Sequence, residues 1–359
     1  MIRASALGAI ATIFAEYLGR FIALTAMQVR WVAALAVVAV GVLNYVGVNR
    51  AAILMNVSTV AKYAALAVLV LLAFTAGSGS SSHFTPAWST GVNLSLIATA
   101  LIAIMWTYDG WADLSFMGGE VKNPGRTLPL ALIIGTSGIL LIYLLLNVAY
   151  VYLVPLPEMA QSPLIAATAA ERIPLLGRFA GSVIAGVVML SCFSTLIGSM
   201  MTGPRIFFAM ADRGLFFQSI ARVSPRFHSP SVAIWLATTL GVIYVLLNDF
   251  QQLADKFILG IWPFYALAVG AVFVLRRTRP DLHRPYRTWG YPVVPLLFLL
   301  ASLAMVVNAL WTDPVNTGIT FGIILAGVPA YFAWRTWKPR ATDSVPELGK
   351  NKLAAEERG

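Results

Sequence analysis

A chain of 359 residues is long enough for two ordinary soluble domains, yet 59% of it is hydrophobic, only 11% is charged, and its mean hydropathy is +0.79. Soluble domains interleave roughly 25% charged residues with apolar ones, whereas here the charges sit in short clusters between long apolar runs, which excludes an ordinary water-soluble surface. The net charge of +10 and the pI near 9.9 raise nucleic acid as a partner, and the placement of the charges argues against it.

A bilayer core of about 30 Å takes roughly 20 apolar residues at 1.5 Å rise, because lipid offers backbone amides no partner outside the helix. The first apolar run, Ala4 to Gly19, is short for a span, and with Arg3 before it and small residues near Ala15 it has two readings. One is a secretory signal, against which Glu16 and the lack of a cleavage box count; the other is a longer helix cut at its start. Nine runs of spanning length follow: Trp31 to Asn49, Ala51 to Phe74, Val92 to Met117, Pro129 to Val154, Phe179 to Gly203, Ser231 to Asn248, Phe257 to Leu275, Tyr291 to Trp311 and Val315 to Trp334. Between them, Gly77 to Gly91 is rich in Ser and Gly, and Pro155 to Arg178 is expected to hold a short surface helix. The tail from Thr342 to Gly359 is polar and mixed in charge, as loosely structured segments are.

If the Trp31 run crosses inward, Lys and Arg crowd the loops on one side: Arg50, Lys122 and Arg126, Arg205 to Arg226, Arg276 to Arg287, and Arg335 onward. The opposite loops hold Arg20, Arg30, Arg172 and Arg178. The rich side is cytoplasmic by the positive-inside rule, and so is the C-terminus. Basicity therefore reports orientation in a membrane, not nucleic acid. The single Cys192 lies in an apolar run, and His83, His228 and His283 sit in loops without ligand spacing, so neither a disulfide nor a metal site is expected. No cofactor is implied. The fold class expected is all-α, a polytopic membrane bundle, with Gly, Ala and Ser in the spans allowing close helix approach.

The third long run carries the sharpest anomaly. In Trp106-Thr107-Tyr108-Asp109-Gly110-Trp111-Ala112-Asp113 an apolar helix meets Asp-Gly near mid-depth, flanked by large aromatics. Glycine is a poor helix former, and an intramembrane carboxylate is costly unless it faces protein or water. A broken helix, whose freed carbonyls and amides meet a substrate, is one reading. An unbroken helix with Asp109 paired to a neighbour, or a span that ends earlier, is the other. Lys62 is the second anomaly: at about 16 Å into its run it is too deep to snorkel easily.

Continuing from the break, Gly118-Gly119-Glu120-Val121-Lys122-Asn123-Pro124-Gly125-Arg126-Thr127-Leu128-Pro129 completes a long pattern. Trp106 to Pro129 resembles the sixth helix and following loop of the amino acid/polyamine/organocation superfamily, most similar to its L-type amino acid transporter branch and bacterial relatives. Ser191 to Gly214 resembles that family's eighth helix and inward loop, with Gly203-Pro204 in place of the usual small hydroxyl pair. Leu275 to Pro292 resembles the tenth-to-eleventh connection, and the likeness extends to about Trp337.

The resemblance implies two inverted five-helix repeats plus two further helices, with this chain starting partway along the third helix and lacking the first two. Residues 1–76 would be the remnant of the first repeat, 92–277 the second, 289–336 the two additional helices, and 337–359 a cytoplasmic tail. The implied function is secondary active transport of amino acids by alternating access, either sodium-independent exchange or proton-coupled uptake. The implied site is Trp106, Thr107, Tyr108, Asp109 and Gly110: carbonyls from Trp106 to Tyr108 for the substrate ammonium, amides near Asp109 and Gly110 to orient it, and Trp106 as a gating ring. Tyr108 and Trp111 are candidates to line the cavity, and capping of the second half-helix is the leading role for Asp109. Lys62 matches a lysine whose ammonium stands where related transporters hold sodium. Glu120, Lys122 and Arg126 form a candidate inward latch. The partners implied are a small-molecule amino acid and the lipid bilayer, in a bacterial plasma membrane; oligomeric state is not implied. A channel would want a selectivity ring and a membrane enzyme converging His, Ser or carboxylate groups, and neither pattern stands out. The rival reading is a non-transporting fragment or a subunit that needs a partner chain.

Overall fold

The structure is a computed structural model that describes residues 1–85, 94–121, 123–162, 164–282, 284 and 286–337. Helices account for nearly all of the regular structure, and among the described residues there is no strand. In chain order they begin with α1 (Ile2–Leu18), α2 (Ala26–Val46), α3 (Val48–Ala76) and α4 (Leu94–Thr107). After a 3-10 segment, Trp111–Glu120, come α5 (Pro124–Leu153), the short α6 (Leu156–Gln161) and α7 (Ile165–Glu171), and α8 (Ala180–Asp212). The chain then forms α9 (Ser231–Leu247), α10 (Phe250–Thr278), α11 (Val293–Thr312) and α12 (Pro314–Trp337). Seven of these are long and apolar enough to cross a membrane, while α4 and α9 are apolar but shorter.

The short first run is not peripheral. Helix α1 is flanked by α8, α10, α9 and α2, and its alanines at 4, 6, 9, 11 and 15 are buried. In this structure the run is an enclosed helix of the bundle. Small residues decide how closely helices approach in lipid, where the hydrophobic effect no longer drives helix onto helix. An ideal Cβ on Gly8 would stand 3.1 Å from both Leu253 and Val245. Helices α2 and α9 meet through reciprocal glycines: a Cβ at Gly41 would strike Thr238, and one at Gly241 would stand 3.1 Å from Val37.

Several helices outrun their apolar runs, because their ends are fixed by capping and not by hydropathy. Thr25 and Gln28 form a reciprocal capping box that starts α2, and Asp249 with Gln252 does the same for α10, seven residues before the expected start at Phe257. Helix α8 runs on past the expected end at Gly203, through Pro204 to Asp212. That proline leaves the Met200 carbonyl without its ladder donor, and, one residue on, the Arg205 side chain donates to the Met201 carbonyl at 3.0 Å. Helix α5 begins at Pro124, with Asn123 as a left-handed N-cap (φ 50°), so Pro129 lies inside the helix and not in its first turn. The connection expected to hold one surface helix holds two, and α7 is packed against α8 with Ala166, Ala167, Ala169 and Ala170 buried. The polar tail from 338 and most of the expected Ser- and Gly-rich loop end, 86–91, lie outside the described residues.

Candidate functional site

Helix α4 ends at Thr107, and the chain makes a three-residue turn before the 3-10 segment. Gly110 turns it, with φ +107° and ψ −14°, a conformation that side chains with a Cβ rarely adopt. The ladder fails stepwise. Tyr108 still donates to the Ile104 carbonyl at 3.1 Å, but the Asp109 amide bonds back to Trp106 at 3.2 Å, and Asp113 to Gly110 at 3.1 Å. Fewer groups are free than a bare break would offer: the Trp106 carbonyl takes the Asp109 amide, and the Thr107 carbonyl accepts the Tyr143 hydroxyl at 3.4 Å. Each carbonyl keeps a second lone pair for a ligand.

Helices α1, α3, α5, α8 and α10 surround this turn. A cavity of about 390 Å³ beside it is lined by Trp106 to Gly110 together with Arg3, Lys62, Asp113, Tyr143, Cys192 and Phe257. On the other side of the turn, an apolar cavity of about 720 Å³ is lined by Tyr108 to Trp111, Gly135, Trp262 and Phe298. Tyr108, Asp109 and Gly110 touch both. The smaller one, with its charged groups, is the candidate site.

All five residues expected at the break therefore face one cavity. Trp106 stands edge-on to two rings of α10, Phe257 at 5.3 Å and Phe250 at 6.2 Å. Tyr108 meets Tyr143 edge-on at 5.2 Å. The Thr107 hydroxyl bonds to its own helix, at the Ala103 carbonyl. The N-cap position itself is Gly110, with no side-chain bond; the Asp109 carboxylate beside it accepts from the Gly110 backbone amide and, through Oδ1, from the Tyr265 hydroxyl at 3.0 Å. Trp111 leans on Tyr265 at 5.0 Å and lines the larger cavity.

Lys62 lies midway along α3 and opens on the same cavity, its ammonium 5.7 Å from the Tyr63 ring. Among the described residues it has no ion pair or hydrogen bond. The inward latch is not assembled by what can be described: Lys122 and the Glu120 side chain lie outside the described residues, and Arg126 is exposed near the start of α5.

The buried charge pair at the site escaped sequence reasoning. Arg3 Nη2 lies 2.6 Å from Asp113 Oδ1 and Nη1 lies 3.2 Å from Oδ2, while Thr202 donates to Oδ2 at 2.8 Å. The pair is desolvated, with side-chain exposures of 8% and 19%, and Phe116 stacks over the guanidinium at 5.2 Å. It ties α1 and α8 to the segment after the break. Half of a signal was present: Asp113 inside an apolar run asks for a counter-charge, but Arg3, just before its run, does not stand out as the partner. Tyr265 carried no such signal, since a tyrosine in an apolar run is ordinarily packing.

The comparisons with known proteins agree with this architecture. The family model for amino acid permeases matches residues 3–333. The cystine/glutamate transporter of Homo sapiens is 31% identical over 318 residues, which is 88% of this chain and 62% of that protein. The serine/threonine exchanger SteT of Bacillus subtilis is 29% identical, covering 85% of this chain and 69% of its own length. The b(0,+)-type amino acid transporter 1 of Mus musculus is 26% identical over 87% of this chain and 64% of its own length. The chain thus spans under two thirds of the first of these relatives and somewhat over two thirds of the second. An all-helical bundle with seven apolar spanning helices, a helix interrupted at Gly110 and a family match over residues 3–333 together make this chain an integral membrane protein of the amino acid permease family.

Proposed function

We propose that the chain carries amino acids across the membrane by alternating access, with the substrate held in the 390 Å³ cavity at the Trp106–Gly110 turn. The observation that carries this reading is the turn itself. A helix stopped by a positive-φ glycine presents carbonyls, an acidic side chain and two aromatics, Trp106 and Tyr108, to one polar cavity in a membrane bundle. The second lone pairs of the Trp106, Thr107 and Tyr108 carbonyls accept the substrate ammonium. Trp106 closes over it and excludes water.

Lys62 supplies a fixed cation on the cavity wall, which removes the need for sodium; exchange and proton-coupled uptake are the two modes compatible with it. The name of one relative, the serine/threonine exchanger SteT, favours exchange. The repeat organisation set out from the sequence, the bacterial plasma membrane and the cytoplasmic C-terminus belong to the same proposal, the last resting on the crowding of Lys and Arg in alternate loops.

Reconstitution in proteoliposomes tests it. Vesicles preloaded with unlabelled serine and diluted into labelled serine are expected to accumulate label equally in sodium and choline buffers, and Trp106→Ala is expected to abolish most of that uptake. Stimulation by preloading identifies exchange, and stimulation by an inward proton gradient identifies symport. Uptake that requires sodium removes the role given to Lys62, and no uptake of any amino acid overturns the transport reading.

A further inference from the structure

Ionised groups inside an apolar bundle are tolerated only when each finds a counter-charge or a polar partner. The cavity beside the turn is lined by two cations, Arg3 and Lys62, and two carboxylates, Asp109 and Asp113. They are used differently. Asp109 takes a neutral hydroxyl from Tyr265, and Lys62 has no ion-pair partner among the described residues; both remain available to a zwitterion. Arg3 and Asp113 are spent on each other through two bonds, 2.6 and 3.2 Å.

Even so, the guanidinium is not saturated. Its Nε is buried and has no hydrogen-bond partner. A planar guanidinium is the best carboxylate receptor a protein possesses, and here Asp113 fills its fork from within the chain, steadied by Thr202 at 2.8 Å. Resting on the transport reading above, we infer that Asp113 is a specificity-determining residue: by occupying Arg3 it closes the cavity to amino acids with acidic side chains and leaves it selective for net-neutral ones.

The exclusion is one of charge balance. An acidic amino acid would bring an additional carboxylate to a cavity whose lining arginine is already matched, and part of its desolvation would go unrepaid. Remove the Asp113 charge, and a cation whose side chain is only 8% exposed stands alone; an acidic cargo then supplies what Asp113 supplied. Remove the Arg3 charge instead, and the buried carboxylate calls for a cationic side chain.

The test uses the whole chain in detergent and in proteoliposomes, with glutamate, serine and lysine as probes, read by ligand-induced thermal stabilisation and by uptake. Wild type is expected to respond to serine and not to glutamate. Asp113→Asn is expected to gain a response to glutamate at least about tenfold stronger than wild type, and the double variant Arg3→Gln/Asp113→Asn to lose that gain. If Asp113→Asn does not fold, Arg3→Gln carries the test, with an expected gain for lysine over serine. A folded Asp113→Asn that responds to serine but not glutamate overturns the inference while leaving transport intact, as does a wild type that already takes glutamate, or an Arg3→Gln with unshifted preference. A wild type that responds to none of the three amino acids instead overturns the transport reading and this inference with it.

Discussion

Replacing Gly110 with alanine isolates what the turn in the broken helix costs. An ideal Cβ at this position has no neighbour within 4 Å, so packing contributes nothing and the penalty is purely of the backbone. At φ +107° the residue lies well beyond the centre of the left-handed region near +57°. Left-handed backbone costs an L-residue roughly 1–2 kcal/mol, and the displacement puts this site at the upper end, about 2 kcal/mol. Gly138, in α5, is the matching control: it too has open space around its Cβ but no positive φ. Alanine there restricts the unfolded chain and suits a helix, and should stabilise by about 0.5–1 kcal/mol. The two substitutions are chemically identical, so their difference of about 2.5–3 kcal/mol in reversible unfolding from mixed micelles is the cost of the turn plus the smaller helical gain at Gly138. Gly110→Ala should also depress amino acid uptake, since relaxing toward a continuous helix withdraws the carbonyls from the cavity. Equal stabilities for the two variants, or normal uptake by Gly110→Ala, would refute the reasoning.

Tyr265→Phe removes the hydroxyl that Asp109 accepts at 3.0 Å; a part-buried bond to a charged group is worth about 1.5–3 kcal/mol, and a double-mutant cycle with Asp109→Asn should recover a coupling of that size. Lys62→Met keeps the volume and apolar stem while removing the charge; a folded protein with uptake reduced to background is expected, and undiminished uptake would strip Lys62 of its role. Thr25→Ala deletes one arm of the capping box that starts α2, at a cost of about 1 kcal/mol, and unfolding measurements should show it without any change in substrate preference.

How much was legible depended on whether the responsible force was local. The spans and their approximate places follow from hydropathy because lipid leaves a backbone no alternative to a helix. The chemistry of the break follows from Asp109-Gly110 because few other pairs place a carboxylate beside a conformationally free residue in an apolar run. Helix ends were less legible: α10 starts at Phe250 because Asp249 and Gln252 cap it, a signal that hydropathy does not carry. The Arg3–Asp113 pair could not be read from spacing at all, since it joins residues 110 apart in sequence. What made it unreadable was that Arg3 stands at the edge of a run and passes for a flanking charge, when the helix it belongs to is among the most enclosed in the bundle. Asp109 shows the same limit on a smaller scale. A carboxylate before a helical segment suggests a cap, and only tertiary structure adds Tyr265 to it.

The turn is held by side chains and not by a helical ladder, and this bears on how it would move. Three polar ties fix it: Tyr143 of α5 on the Thr107 carbonyl, Tyr265 of α10 on Asp109, and Arg3 of α1 with Thr202 of α8 on Asp113. They are unequal. The first is long at 3.4 Å and joins neutral groups, so it is the cheapest to break. The third joins buried ions, and parting it leaves a charge uncompensated at a cost of several kcal/mol. A rearrangement around bound substrate should therefore begin on the Thr107 side, where the substrate ammonium competes for the same carbonyl that Tyr143 holds, and pivot about Asp113, which stays anchored to α1 and α8. On this argument Tyr143→Phe should ease entry to the moving state and lower the half-saturating substrate concentration. Thr202→Val, which loosens the anchor while leaving the ion pair, should lower the maximal rate instead. If the two variants changed the same parameter, the pivot would not lie where the buried pair puts it.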